Sequence, residues 1–220
     1  MRVLEAVEIR CEWSDMLQVP LHPHPQLTDG ERAEDLPHAA SLIRSIAVKT
    51  NMVTNEDRDD EMPLRILIGM GWEYYAAQLY PDMVWQPGEI AVGGIALNMD
   101  GYHHQSGEYL NGLVVLDEAP TVDEFKYTAK SMRKKGGGPD ELKDIRAEWS
   151  WMSQTKAYCY ALADMIGQPV LHAQMHVCWA MGNYTRHTLD ERYFRYLVEF
   201  TPAEIKSNWD MLLKEANGGG

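Results

Sequence analysis

Val122-Asp123-Glu124-Phe125-Lys126-Tyr127-Thr128 is the stretch on which the fold turns. β-Branched and aromatic residues dominate it, which predicts a β-strand. Side chains alternate faces along a strand, so Glu124 and Lys126 share one face, while Asp123 faces away from Lys126. A carboxylate there can bind a hard divalent cation through oxygen. A lysine beside it can stabilise a developing anion or orient a water. The same pair also fits a surface ion pair on a half-solvated strand, because such pairs are common and cheap. The surrounding chain has to decide between the two.

Downstream, Lys126, Lys130, Arg133, Lys134 and Lys135 form a run with no acid between them, leading into Gly136-Gly137-Gly138. It reads either as a solvated basic loop or as an electrostatic landing strip for a phosphate backbone. Asp140 then opens a predicted long helix that ends at Gly167. Its core stripe is Leu142, Ile145, Trp149, Met152, Cys159, Leu162 and Ile166. An adjacent stripe carries Gln154 and Tyr158, four apart and so one turn above each other. They suit either the rim of a core helix or the holding of a backbone phosphate. Pro169–Trp179 and Arg192–Phe200 read as strands. His172 and His176 would stand roughly 13 Å apart on a strand, too far to share a zinc ion. Thr201-Pro202-Ala203-Glu204 is a capping box that opens a helix over about 202–216.

Upstream, a turn covers Asp117 to Thr121 and a short apolar strand Leu113 to Leu116. His103 to Gly112 reads as a polar loop, with His103-His104 part of it. Residues 84–92 and 94–102 read as two strands, the first interrupted by Pro87-Gly88. Asp100 ends the second and precedes Gly101, which suits a turn as well as a site. Leu64 to Tyr80 reads as a helix, with Leu64, Leu67, Ile68, Trp72, Tyr75, Ala76 and Leu79 at spacings of three and four. Glu73 lies on it, facing either solvent or a site. Residues 38–50 form a short amphipathic helix and 51–62 an acidic connection. The proline-rich loop at 20–37 carries His22 and His24, and residues 3–12 suit an edge strand.

The whole chain of 220 residues suits one domain with a sizeable core. Cys11, Cys159 and Cys178 include no close pair, so a disulfide scaffold is not expected and a reducing compartment fits. They cannot make the four-cysteine set of an iron–sulfur cluster or a structural zinc. No secretory leader and no membrane span is expected, since Met1 to Trp13 is broken by charges and no apolar run nears roughly 20 residues. The net charge of −13 alone argues against nucleic acid, which makes the local basic run matter more than the sum.

The order is a helix with Glu73, a strand with Asp100, a strand with Glu124-Phe125-Lys126, a helix with Gln154-x-x-x-Tyr158, then a strand. This resembles the PD-(D/E)XK nuclease superfamily, and within it the RecB-like nucleases and lambda-type phage exonucleases. The matching part covers about residues 64–181, just over half the chain. The resemblance implies an α/β, restriction-endonuclease-like mixed β-sheet flanked by helices, with core order α-β-β-β-α-β. Residues 1–63 would be an N-terminal extension and 182–217 a C-terminal strand–helix addition to one domain spanning 1–220. Many RecB-like nucleases have His where this chain has Glu73, and 23 residues separate Asp100 from Glu124, leaving Asp117, Glu118 and Asp123 as competing acids. Spacing to Lys126 favours Glu124 over Asp123.

The resemblance further implies a DNA nuclease dependent on Mg²⁺ or Mn²⁺, an exonuclease serving recombination, replication or repair and encoded by a phage. Asp100, Glu124 and the Phe125 carbonyl would bind the main metal, and Glu73 a second metal or its water. Lys126 would orient water and stabilise charge. Gln154 and Tyr158 would hold the strand being cut, and Lys130, Arg133, Lys134 and Lys135 would bind DNA. The implied setting is the host cytoplasm, with DNA, further copies of the chain and a single-strand annealing or recombination protein as partners. The alternative is a catalytically silent member of that fold that binds nucleic acid or serves in the virion.

Overall fold

A computed structural model describes residues 1–9, 35–52, 62–80, 82–103, 119–128, 144–183 and 188–218. The organising stretch is strand β6, Thr121–Thr128, in the middle of a six-stranded mixed sheet of order β1-β8-β7-β6-β5-β2. The other members are β1 (Arg2–Ile9), β2 (Val84–Trp85), β5 (Gly101–His103), β7 (His172–Asn183) and β8 (Thr188–Glu199). β6 and β7 run parallel, with Glu124 opposite Met175 and Phe125 opposite His176, and the other neighbours are antiparallel. A parallel pair needs a long crossover, and helix α3 (Trp149–Ile166) supplies it. The core order is α-β-β-β-α-β, as expected, if β2 to β4 are counted as one interrupted excursion.

The two faces of β6 meet different layers. Val122, Glu124 and Lys126 face α3, which packs with α1 (Ala39–Lys49) and α4 (Pro202–Ala216) into the main core. Leu162, Met175, Val198, Trp209 and Leu212 are sealed there. Two hydrogen bonds lock α3 to α4 inside it: Ser153 Oγ to Asn208 Oδ1 at 2.7 Å, and Asn208 Nδ2 to the Ser153 carbonyl at 2.9 Å. Buried polar groups are tolerated when satisfied in this way. Asp123 and Phe125 face helix α2 (Met62–Ala77), where Trp72 meets Phe125 edge-on at 5.8 Å. Both faces being covered, Thr121 to Phe125 are all buried, so Glu124 is not half of a surface ion pair.

Four sequence expectations need correction. Residues 84–102 form four short strands rather than two, with β3 (Glu89–Val92) and β4 (Ile95–Asn98) making a separate hairpin. The cause is local: Gln86 and Gly88 have φ of +45° and +99°, which breaks the first strand, and Gly93-Gly94, both left-handed, make the hairpin turn. α3 begins at Trp149, not Asp140, because Asp144 accepts from the Arg146 N–H and caps a separate 3-10 turn at Ile145–Ala147. Ile145 is buried nonetheless. Ile68 and Tyr75 of α2 are 43% and 40% exposed rather than in the core; the helix rests on Gly69, Trp72, Ala76 and Ala77. His103 belongs to β5 and is buried, not part of a polar loop.

The edge position of β1, the capping box of Thr201 and Glu204, and the left-handed Gly167 stop of α3 are as expected. Among the described cysteines, Cys159 and Cys178 are buried and not joined in a disulfide. No helix among the described residues is long and apolar enough to cross a membrane.

Candidate active site

Strand parity sets the first two groups. Glu124 and Lys126 project from the same face of β6, and the Lys126 ammonium meets Glu124 Oε1. Helix α3 crosses that face and brings Gln154 within reach: Lys126 Nζ donates to Gln154 Oε1 at 3.3 Å. One turn on, Gln154 Nε2 donates to the Tyr158 hydroxyl at 2.6 Å. The two stripe residues therefore face the strand pair rather than the far side of the helix.

Asp100 arrives from the other neighbour. Gly101 pairs with Asp123 in the β5–β6 ladder, which leaves Asp100 just beyond the strand, where its Oδ2 accepts from the Phe125 N–H at 2.8 Å. An added Cβ at Gly101 would come within 2.7 Å of Met83 Sδ, so a larger residue there would force Met83 to shift. Glu73 enters from α2 and is steered by Gln86, whose Nε2 donates to Glu73 Oε1 at 3.2 Å. The Gln86 N–H also donates to the Asp100 carbonyl at 2.8 Å. Gln86 thus holds both acids, and does so from a left-handed backbone (φ +45°) that a non-glycine residue adopts only at some cost. Nothing in the sequence beyond the Pro87-Gly88 irregularity signalled it.

The electrostatics are those of a crowded anionic pocket. Burial, then the charge of Asp100, pushes the Glu124 carboxyl up to about 8. Burial and Asp100 likewise push Glu73 up to about 7, against hydrogen bonding from Gln86 and Trp85. Asp100 is raised by burial too, with the Lys126 charge and the Phe125 N–H opposing. Burial would lower Lys126, but the charges of Glu124 and Asp100 outweigh it, so the ammonium persists at neutral pH. Burial and the charge of Glu124 hold Tyr158 well above its ordinary value, so its hydroxyl stays protonated.

These residues suit a divalent cation bound by oxygen. Glu124 is fully buried, yet neither carboxylate oxygen accepts a well-formed hydrogen bond; Oε1 has only the ion-pair contact with Lys126. An orphaned buried carboxylate is costly, and a cation is one partner that removes the cost. Among the described residues no three His, Cys, Asp or Glu side chains form a ready cage. Mg²⁺ does not need one, as it keeps several waters and binds through one or two carboxylates.

Behind the site, on the opposite face of β6, runs a buried chain that sequence reasoning missed. His103 Nδ1 lies 2.5 Å from Asp123 Oδ2, and Asp123 Oδ1 lies 2.8 Å from His176 Nε2. His176 Nδ1 is 2.7 Å from the Tyr193 hydroxyl, which is 2.7 Å from that of Tyr80. Burial lowers the pKa of His176, so the neutral ring donates to Asp123 and accepts from Tyr193. Burial alone would raise Asp123, but His103 and His176 hold it below the usual carboxylate range. Parity put Asp123 on this face; its partners lie 20 and 53 residues away, with no local pattern to announce them. His172 and His176 both lie on strand β7. His172 stands near Glu199 instead of forming a metal pair. Lys130, Arg133, Lys134 and Lys135, together with His22, His24, Asp117, Glu118 and Leu113 to Leu116, lie outside the described residues.

Fold and cluster together define a mixed α/β protein with a buried carboxylate–lysine site. No family model and no curated protein matches the chain. Among solved structures it is similar to a phage-related exonuclease from Haemophilus somnus 129PT, at 11% identity and a TM-score of 0.45, covering 97% of this chain and 93% of that one.

Proposed function

We propose that the chain is a metal-dependent deoxyribonuclease, with Mg²⁺ or Mn²⁺ bound by Asp100, Glu124 and the Phe125 carbonyl, and Glu73 holding a second ion or a coordinated water. The observation that carries this is Glu124: a fully buried carboxylate whose Oε1 meets only the Lys126 ammonium and whose Oε2 has no hydrogen-bond partner, beside two further acids. When bound, the metal supplies charge neutralisation on the scissile phosphate and a more acidic water. Lys126 stays protonated, so it is not the base; it donates to the attacking water or to the oxygen on which charge builds. Tyr158 and Gln154, already bonded to each other, donate to the phosphate of the strand being cut. Water adds to phosphorus as the bond to the leaving oxygen breaks; the water's proton passes to solvent or a neighbouring carboxylate, and the leaving oxygen takes a proton from solvent.

The motif resemblance points to exonucleolytic action on DNA in recombination, replication or repair, with a phage-encoded protein working in the host cytoplasm, further copies of the chain, and an annealing or recombination protein as partner. Lys130, Arg133, Lys134 and Lys135 would supply the phosphate contacts. End-labelled linear and circular DNA digested over time, with Mg²⁺ and with a chelator, tests the reading. Loss of ends on linear DNA only in the presence of metal, and none with Asp100→Ala or Glu124→Ala, is expected. Activity in chelator, or full activity of either variant, would sink it.

A further inference from the structure

Beside the carboxylates stands an aromatic surface whose ring faces have no role so far; Trp85 within it also hydrogen-bonds to Glu73. Tyr74 follows Glu73 on α2, and Trp85 precedes Gln86, the residue hydrogen-bonded to Glu73. Tyr74 contacts Trp85 at 5.5 Å and Tyr75 at 5.7 Å between ring centroids. Tyr74 and Trp85 are half-buried, and Tyr75 is 40% exposed. The outward side of the helix continues with Ile68 and Met70, both exposed. Between Ile66 and Tyr80 the only charged residue is Glu73, which turns toward the site.

In a chain of net charge −13, an outward helix face without acids is a surface a polyanion can approach with less repulsion than a face that carries them. Trp85 and its neighbour Gln86 both bond to Glu73, so what lies on this surface is next to what is cut. Aromatic rings bind bases by stacking, independently of sequence, and inside a duplex only a base freed from its own stack offers a face. We propose that Tyr74, Tyr75 and Trp85 form a stacking surface for an unpaired nucleobase adjacent to the phosphodiester held at Glu73, Asp100 and Glu124. The inference rests on the nuclease reading and deepens it: the strand enters the site single-stranded around the bond to be broken.

Fluorescence anisotropy with a single-stranded oligodeoxynucleotide, in Ca²⁺ and in chelator, provides the test. A second series carries one abasic nucleotide, moved along the strand position by position. At one position the abasic lesion should weaken binding roughly 5- to 150-fold. Tyr74→Leu should weaken the base-bearing strand similarly and leave that abasic strand unchanged, while Tyr74→Phe retains affinity. Tyr75→Ser, at an exposed position, covers the case in which the other variants do not fold, and should show the same selectivity in smaller degree. Equal losses on both strands, or none, overturn the proposal. A parent indifferent to every abasic position overturns it while leaving the phosphate site standing, and a parent that binds no oligonucleotide overturns both. Self-association lost in Tyr75→Ser with oligonucleotide affinity intact would show a second copy on this face, and would also overturn it.

Discussion

Glu124→Gln should stabilise the metal-free protein, increasingly so as pH rises. The Glu124 carboxyl has a usual value of 4.5 and is held at about 8 by burial and Asp100. Because the folded-state value is raised, the stability this group contributes is complete below pH 4.5 and is lost as pH rises through about 8. The gap corresponds to about 5 kcal/mol as an upper bound. Glutamine matches the shape of the neutral acid, so the variant and parent should nearly coincide at pH 5. At pH 8 the variant escapes the penalty but leaves Lys126 without its closest anion, which offsets part of the gain. A net stabilisation of about 2 kcal/mol, or about 4–8 °C in Tm for a chain of this size, is expected. Urea or thermal unfolding from pH 5 to 9 in chelator measures it, and added Mg²⁺ should stabilise the parent far more than the variant. A variant less stable than the parent at pH 8, or a difference that does not change with pH, would refute the picture of a strained carboxylate awaiting a cation.

Four further variants address other links. Tyr193→Phe removes the donor to His176 Nδ1 and should cost about 1–3 kcal/mol in urea unfolding; an unchanged midpoint would mean the buried chain behind β6 contributes little. Tyr158→Phe and Gln154→Ala should each slow DNA hydrolysis by about one to two decades, with losses that do not add, since the two side chains are bonded to each other; additive losses in single-turnover assays would separate their roles. Replacing Arg133, Lys134 and Lys135 together should weaken DNA binding and flatten its salt dependence by about one unit of slope per lost phosphate contact; identical binding at every salt concentration would make the run a solvated loop.

What the sequence determined by itself was whatever local periodicity or local chemistry controls. Alternation in β6 put Glu124 with Lys126 and turned Asp123 away, and helical spacing put Gln154 one turn from Tyr158. The capping box at Thr201 and the glycine stop at Gly167 are likewise local, and both appear as read. Distance in the chain is what defeats such reading. Whether β6 was half-solvated or buried on both faces depended on where α2 and α3 packed, and that decided whether Glu124 was a surface ion or a strained carboxylate. The bonds from Asp123 to His103 and His176, and those from Gln86 to the Glu73 side chain and the Asp100 backbone carbonyl, join residues that share no periodicity. They follow from strand order in the sheet, which is settled only when the whole core has chosen how to bury its apolar surface.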